Sequence, residues 1–421
     1  MNKKIKVVWI TQFSNTEVRS NLNFRMFDLF SWVRYFGKGA KYSDFAKWIT
    51  NGIKEFEKVP EIELHVVSHH MGLSSTNEFV MNGIYYHFFK TEDDNFIAQV
   101  SQRLSKHYHP SYNKNSQIIE KIVDKISPDI IHLYGAENPI YGMWVLYTKT
   151  QLPIIVSLQT LLSDPKFFGN YPMGKEEYEF RSTMEREIIQ RADYVASAQS
   201  FKKIIAKEIK ENVKYLDVRL AVAEKIEKIE CQKEFDFVYF ALDIEKAADW
   251  AIEAFALAQK KHPTITLNII GGYNYTFKDE LDTRIKELDI KSNIVFSGRQ
   301  PTHSAVIQSI QRSKFALLPL KVDLLTGTIR EAMYCEIPVV STITPSTPEL
   351  NNERQSILLS PKGDFESMAN NMCLLIEQQN FADNIRKNAL LTIKERYNNE
   401  LSIWQLSKEY SKIVTITNKH K

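Results

Sequence analysis

A run from Pro319 to Leu350, PLKVDLLTGTIREAMYCEIPVVSTITPSTPEL, brings small, polar and acidic residues together at a spacing that suits phosphate and sugar chemistry. The apolar stretch Phe315 to Leu320 reads as a buried strand, and the loop after it holds Thr326, Gly327 and Thr328. A helix then carries Glu331 and Ala332, and a second apolar stretch runs from Ile337 to Val340. Small residues ahead of a helix let its free backbone N–H groups approach an anion. Glu331, in the first turns, is placed to accept hydrogen bonds from sugar or ribose hydroxyls. The same spacing also suits a plain β–α turn with a solvated Glu. Two more polar groups stand at strand ends: Glu137 and Asn138 follow the buried run Asp129 to Leu133, and Gln159 with Thr160 closes the run Pro153 to Leu158. In open α/β sheets ligands bind at the carboxyl ends of strands. A glutamine cannot act as a general base, so Gln159 works by hydrogen bonding, either to a ligand or to its own loop.

These groups need a scaffold, and the composition allows one. The chain has 421 residues, enough for two or three domains, with 43% hydrophobic and 25% charged residues, as in ordinary globular proteins. A net charge of only +3 argues against a dedicated nucleic-acid binder. Cys231, Cys335 and Cys373 lie far apart without metal-ligand spacing, which points to a reducing compartment. The start, MNKKIKVVWITQF, has an apolar run too short for a signal peptide and reads as a first strand. No run of apolar residues is long enough to span a membrane.

Alternation of strand-like and helix-like segments predicts parallel sheets. Strands are expected over Lys4 to Phe13, Ile62 to Ser68 and Ile84 to Phe89, and then at the two runs that carry Glu137 and Gln159. Arg19, after the first strand, suits either an anion contact or a solvated loop; His69 and His70 suit either loop polarity or acceptor contacts. The aromatic-rich residues 21 to 41 are expected to pack into the core, and Asp44 to Phe56 forms an amphipathic helix. In the helix Phe180 to Gln190, Arg181 and Glu185 are spaced for an i,i+4 ion pair. The basic helix FKKIIAKEIKENVK presents a lysine face that suits solvent better than a membrane surface. The charge-rich stretch from Lys225 to Lys233 reads as a linker. Phe235 to Leu242, Thr264 to Ile270 and Ile294 to Ser297 start a second sheet, and Tyr397 to Val414 is a last helix.

The segment REAMYCEIPVVS followed by TPEL resembles the signature of family-four glycosyltransferases, retaining enzymes of the GT-B fold. That resemblance implies two Rossmann-like domains facing across a cleft, here residues 1–224 with a returning helix 400–421, and residues 225–399. It implies a nucleotide diphosphate sugar as donor, a glycan or lipid-linked acceptor, and no metal or other cofactor. The family's E-x7-E element reads here as Asp323 with Glu331, so Asp323 is the implied contact to the donor sugar and Glu331 to the ribose. The family's G-R-x4-K-G segment maps onto DIEKA, where Lys246 fits the lysine that holds the diphosphate, while Ala241 or Leu242 stands in the arginine's place. Losing that arginine removes a bidentate phosphate contact. Gly271 falls in the family's glycine loop, and Arg299 follows the strand whose loop touches the base and is the candidate replacement charge. HLYGAEN with VSLQT resembles a subgroup in which Glu137 and Gln159 line the active cleft.

The expectation is a cytoplasmic hexosyltransferase, at the inner face of the membrane if it makes a weak peripheral contact there, serving surface polysaccharide assembly. Two other classes remain open: a nucleotide-sugar-binding protein with a degenerate site, and a nucleotide-sugar epimerase of the same fold.

Overall fold

The computed structural model describes residues 4–24, 44–91, 112–164, 174–197, 199–217, 226, 229–273, 275–321 and 327–419. The chain divides into two compact units, Met1–Ala221 with Asn399–Lys421, and Val222–Asn398. The aromatic-rich residues 25–43 and part of the linker stretch lie outside the described residues.

The first unit is built on β1 (Ile5–Ile10), β2 (Ile62–His69), β3 (Asn77–Met81), β4 (Ile84–Phe89), β5 (Ile130–Tyr134), β6 (Ile154–Ser157), β7 (Tyr194–Ala196) and β8 (Lys214–Tyr215). Its helices are α1 (Thr16–Ser20), α2 (Lys47–Phe56), α3 (Asn113–Ile126), α4 (Pro139–Tyr147), α5 (Lys175–Arg191) and α6 (Gln199–Glu208). The sheet order is β3-β4-β2-β1-β5-β6-β7-β8. Every pairing is parallel except the β3–β4 hairpin, whose Asn82-Gly83 turn has both φ angles positive, 52° and 79°. That is the turn an Asn-Gly pair favours between twisted strands. Parallel strands are covered on both faces and so read as unbroken apolar runs, as Val7 to Ile10 and Ile130 to Leu133 do, each at 0–1% exposure.

The second unit holds β9 (Phe235–Asp243), β10 (Leu267–Gly272), β11 (Ile294–Gly298), β12 (Ser313–Leu318), β13 (Val339–Thr342) and β14 (Leu358–Ser360). Its helices are α7 (Ala248–Lys261), α8 (Tyr275–Glu287), α9 (His303–Gln311), α10 (Gly327–Tyr334), α11 (Phe365–Glu377) and α12 (Gln379–Arg396). The six strands run in the order β11-β10-β9-β12-β13-β14, and all are parallel. Both sheets reverse strand order beside their first strand, which is where a doubly wound sheet opens a crevice.

The last helix, α13 (Asn399–Lys419), belongs to the first unit. Ile403, Leu406, Tyr410 and Ile413 enter that unit's core alongside Trp9 and Phe56. Tyr410 is fully buried and polar, so its hydroxyl must be satisfied internally. It accepts a hydrogen bond from Trp9 Nε1 at 2.8 Å and meets His132 Nδ1, while His132 Nε2 lies 2.7 Å from Ser157 Oγ. Burial pushes the His132 pKa down to about 3, so the ring is neutral and one nitrogen donates while the other accepts. The consistent chain runs from Trp9 to Tyr410 to His132 to Ser157. Removing the hydroxyl in Tyr410→Phe leaves the Trp9 N–H and a His132 nitrogen buried without partners, at about 1–3 kcal/mol. Thermal melting of that variant is expected several degrees below wild type.

Candidate active site

In the first unit the polar groups gather where β1, β2, β5 and β6 end. Asn138 caps α4, its Oδ1 accepting from the Ile140 amide at 3.1 Å, and its Nδ2 donates to Gln12 Oε1 at 2.9 Å. This ties the end of β5 to the end of β1. Gly135, at φ 91°, makes the turn ahead of it; a Cβ there would stand 2.9 Å from both Glu137 Oε1 and Tyr141 Oη. The Glu137 carboxylate thus folds back over the glycine. Burial pushes its pKa up, opposed by its own backbone and by the Arg181 charge. Among the described residues its Oε2 is buried without a hydrogen-bond partner. His69, 2% exposed, packs its ring 6.0 Å from that of Tyr141, and burial holds it near a pKa of about 3, so it is neutral. Its Nδ1 and the Thr160 hydroxyl are likewise buried without partners among the described residues. Gln159 is half-buried at the same sheet edge.

Two expectations are corrected here. Arg181 does not pair with Glu185 but with Glu177, one turn earlier, at 2.6 Å. Glu185 points inward at 0% exposure, with Oε1 accepting the Leu162 amide at 3.1 Å and Oε2 the Ser163 amide at 2.6 Å. Arg186 adds a hydrogen bond to the Ser163 carbonyl at 3.1 Å. Helix α5 therefore grips the loop that follows Gln159 and Thr160. Arg19 is no free anion contact either: it binds Asp44 at 2.6 Å and Ser14 Oγ at 2.7 Å.

In the second unit, Lys246 is exposed on the short 3-10 turn Ile244–Lys246 that follows β9. The Ala247 amide donates to Tyr239 Oη at 3.1 Å and pins that turn to the strand. Gly271 sits where the β9–β10 register shifts. At φ 148° its backbone lies against Ala241, and a Cβ would meet the Ala241 carbonyl at 2.3 Å. Only glycine fits. Arg299 is exposed after Gly298, itself at φ 64°. Gly327 and Thr328 open helix α10, and Glu331 lies one turn in. Asp323 and Thr326 lie outside the described residues.

Glu331 is not a solvated side chain. His303 Nε2, in the first turn of α9, stands 2.7 Å from its Oε1, with the two side chains 24% and 20% exposed. Thr302 caps α9 by accepting the Ala305 amide at 3.1 Å. His303 was invisible to motif reading, and only the helix-capping pattern Thr-His-Ser marks its place. Also unforeseen is Lys278, whose Nζ lies 3.7 Å over the Phe296 ring in the middle of β11.

Residues 223–391 match the family model described as glycosyl transferases group 1. No curated protein sequence matches the chain. Among solved structures, sucrose-phosphate synthase from Thermosynechococcus elongatus is similar over 98% of this chain and 100% of its own, at 12% identity and a TM-score of 0.73. Anabaena Alr3699/HepE in complex with UDP and glucose covers 97% of this chain and 99% of its own, at 16% identity and TM-score 0.64. The solved structure of trehalose-6-phosphate from E. coli bound with UDP-2-fluoro glucose covers 96% of this chain and 98% of its own, at 9% identity and TM-score 0.66. At these identities the likeness establishes the fold, GT-B.

The inward Glu185 gives a sign to test. Burial pushes its pKa up from 4.5 to about 7, so its contribution to stability is full below pH 4.5 and is lost as pH rises toward 7. Glu185→Gln does not titrate, and it offers one acceptor for two amides. Its melting profile should be flatter across that window and lie about 1–3 kcal/mol lower at the acid end. Taking the difference from wild type cancels the opposite slopes of His69 and His132.

Proposed function

We propose that this chain, a group 1 glycosyltransferase by its residues 223–391, transfers a hexose with retention from a nucleotide diphosphate sugar to a glycan or lipid-linked acceptor. The observation that carries the reading is Glu331, held by His303 at 2.7 Å at the start of the helix after β12. A carboxylate fixed on one oxygen keeps the other for ribose hydroxyls at little cost in side-chain entropy. Lys246 binds the diphosphate, assisted by the amides of Gly327 and Thr328 at the helix N-terminus and by Thr326 ahead of them in sequence. Arg299 adds charge on the same sheet edge, and the Gly271 turn keeps the backbone low beside it. Asp323 contacts the donor sugar and stabilises its oxocarbenium-like charge. In the first unit, Glu137 and Gln159 bind sugar hydroxyls, Gln159 as a hydrogen-bonding amide and Glu137 through the buried oxygen that has no partner among the described residues.

Departure of the nucleotide makes a dianionic diphosphate. The cation and helix amides therefore count for more in the transition state than in the ground state. No metal is needed for this charge balance. No helix among the described residues is long and apolar enough to cross a membrane, and the enzyme is proposed to act in the cytoplasm, in surface polysaccharide assembly.

A second reading, a nucleotide-sugar-binding protein without transferase activity, is favoured by one feature: half-buried Ala241 stands in the arginine's place. A nucleotide that stabilises the protein, with no transfer or hydrolysis of any nucleotide sugar, would support it.

The deciding measurement is a thermal-shift panel of UDP, GDP, ADP, TDP and CMP, with and without Mg²⁺. A ligand at a hundred times its Kd adds ~2.7 kcal/mol to the stability of the fold that binds it. One diphosphate is expected to raise the melting temperature whether or not Mg²⁺ is present, and Glu331→Ala to abolish the rise. Lys246→Ala removes a charge-assisted contact of about 1.5–3 kcal/mol and should weaken that diphosphate roughly tenfold or more. No shift with any nucleotide ends the proposal.

A further inference from the structure

Helices α7 and α11 pack directly against each other on the second unit's sheet. His262 ends α7, and Cys373 and Glu377, four residues apart on α11, turn one face toward it. His262 Nε2 stands 3.0 Å from Glu377 Oε1. One ligand atom from each of the three residues lies within 4.8 Å of those of the other two. Cys373 is 4% exposed, while the His262 and Glu377 side chains are 23% and 54% exposed. The cluster is thus graded, with a soft sulfur at the bottom, an imidazole at the wall and a movable carboxylate at the rim.

We propose that His262, Cys373 and Glu377 bind a zinc-class divalent cation that clips α7 to α11. Thiolate and imidazole donors suit Zn²⁺, while Mg²⁺ and Ca²⁺ call for oxygen ligands. Tetrahedral zinc with bonds of about 2.0–2.3 Å sets its ligand atoms about 3.3–3.8 Å apart. The half-exposed Glu377 can swing to meet that geometry, and water fills the fourth position. On binding, the Cys373 thiol gives its proton to solvent and the sulfur bonds to the metal; no electron changes hands.

The clip is remote from the nucleotide chemistry proposed above and does not depend on it. A 14-residue α7 is ~21 Å long. His262 lies past its C-terminal end, whereas Lys246 lies before its N-terminal end. The cation therefore fixes the fold and takes no part in transfer.

The test uses the full chain, stripped of metal and titrated with Co²⁺ as a spectroscopic stand-in. Expected are visible d–d bands with a near-ultraviolet thiolate-to-cobalt band, discharged by stoichiometric Zn²⁺. Cys373→Ser should lose the thiolate band. Zn²⁺ should raise the melting temperature of wild type and leave that of Cys373→Ser unchanged. Glu377→Gln, at a surface position, should weaken Co²⁺ by more than about tenfold, the scale on which even outer-sphere partners count. The absence of a thiolate band in wild type, or one that survives in Cys373→Ser and so comes from Cys231 or Cys335, overturns the proposal. If Cys373→Ser fails to fold, unchanged Co²⁺ affinity in Glu377→Gln overturns it alone.

Discussion

The buried hydroxyl of Tyr410 is the contact on which the first unit depends. It arrives from the last helix of the chain, yet it is satisfied by Trp9 on β1 and His132 on β5, and through His132 it reaches Ser157 on β6. Those three strands are adjacent in the sheet, and their carboxyl ends carry Gln12, Glu137 and Gln159. A polar network in a low-dielectric core is costly when any member is missing, so it admits one register of helix against sheet. The apolar contacts of Ile403, Leu406 and Ile413 supply attraction, and apolar contacts alone tolerate sliding. The hydrogen bonds remove that freedom and fix where the strand ends stand.

Beyond those ends, two carboxylates of the same unit have opposite fates. Glu185 is fully buried and fully satisfied, with both oxygens taken by backbone amides. Its work is to hold a loop. Glu137 lies near enough to raise the Glu185 pKa further, yet one of its own oxygens has no partner among the described residues. A buried acceptor left open is unfavourable for the folded chain. On the proposed reading this oxygen, with the His69 nitrogen and Thr160 hydroxyl that also have no partner among the described residues, is open to the hydroxyls of a sugar.

Legibility in the sequence followed the range of the interaction. Parallel strands were legible because burial on both faces leaves long apolar runs, and the β12–α10 turn because its small residues precede an apolar-periodic helix. The Arg181–Glu185 spacing misled for a definable reason: i,i+4 pairing is a rule for a solvated helix face, and α5 turns Glu185 to a buried one while Glu177 takes the arginine. Tyr410, His303 and the Cys373 cluster were hidden because their partners lie far away in sequence and no local pattern encodes them. The spacing of the cysteines carries no information about side chains brought together from two helices, as His262, Cys373 and Glu377 are. Asp323 and Thr326 were named from resemblance, and they lie outside the described residues.

The packing of the second unit bears on the arginine that the resembled pattern has and this chain lacks. Gly271 occupies a register shift in which its backbone abuts the Ala241 carbonyl. The end of β9 is therefore held close against β10, and Ala241 is half-buried there. A long cation grown from that position would have to leave this packing to reach a phosphate. On the proposed reading, the charge that remains sits on groups that need no such exit. Lys246 is already exposed on a turn pinned by Tyr239, and the helix amides ahead of Glu331 are fixed by the fold. Rigid donors lose little entropy on binding and need little reorganisation as charge develops. On that reading Lys246 keeps the charge of the lysine it matches, Arg299 is left to replace the charge of the missing arginine, and the bidentate contact is lost.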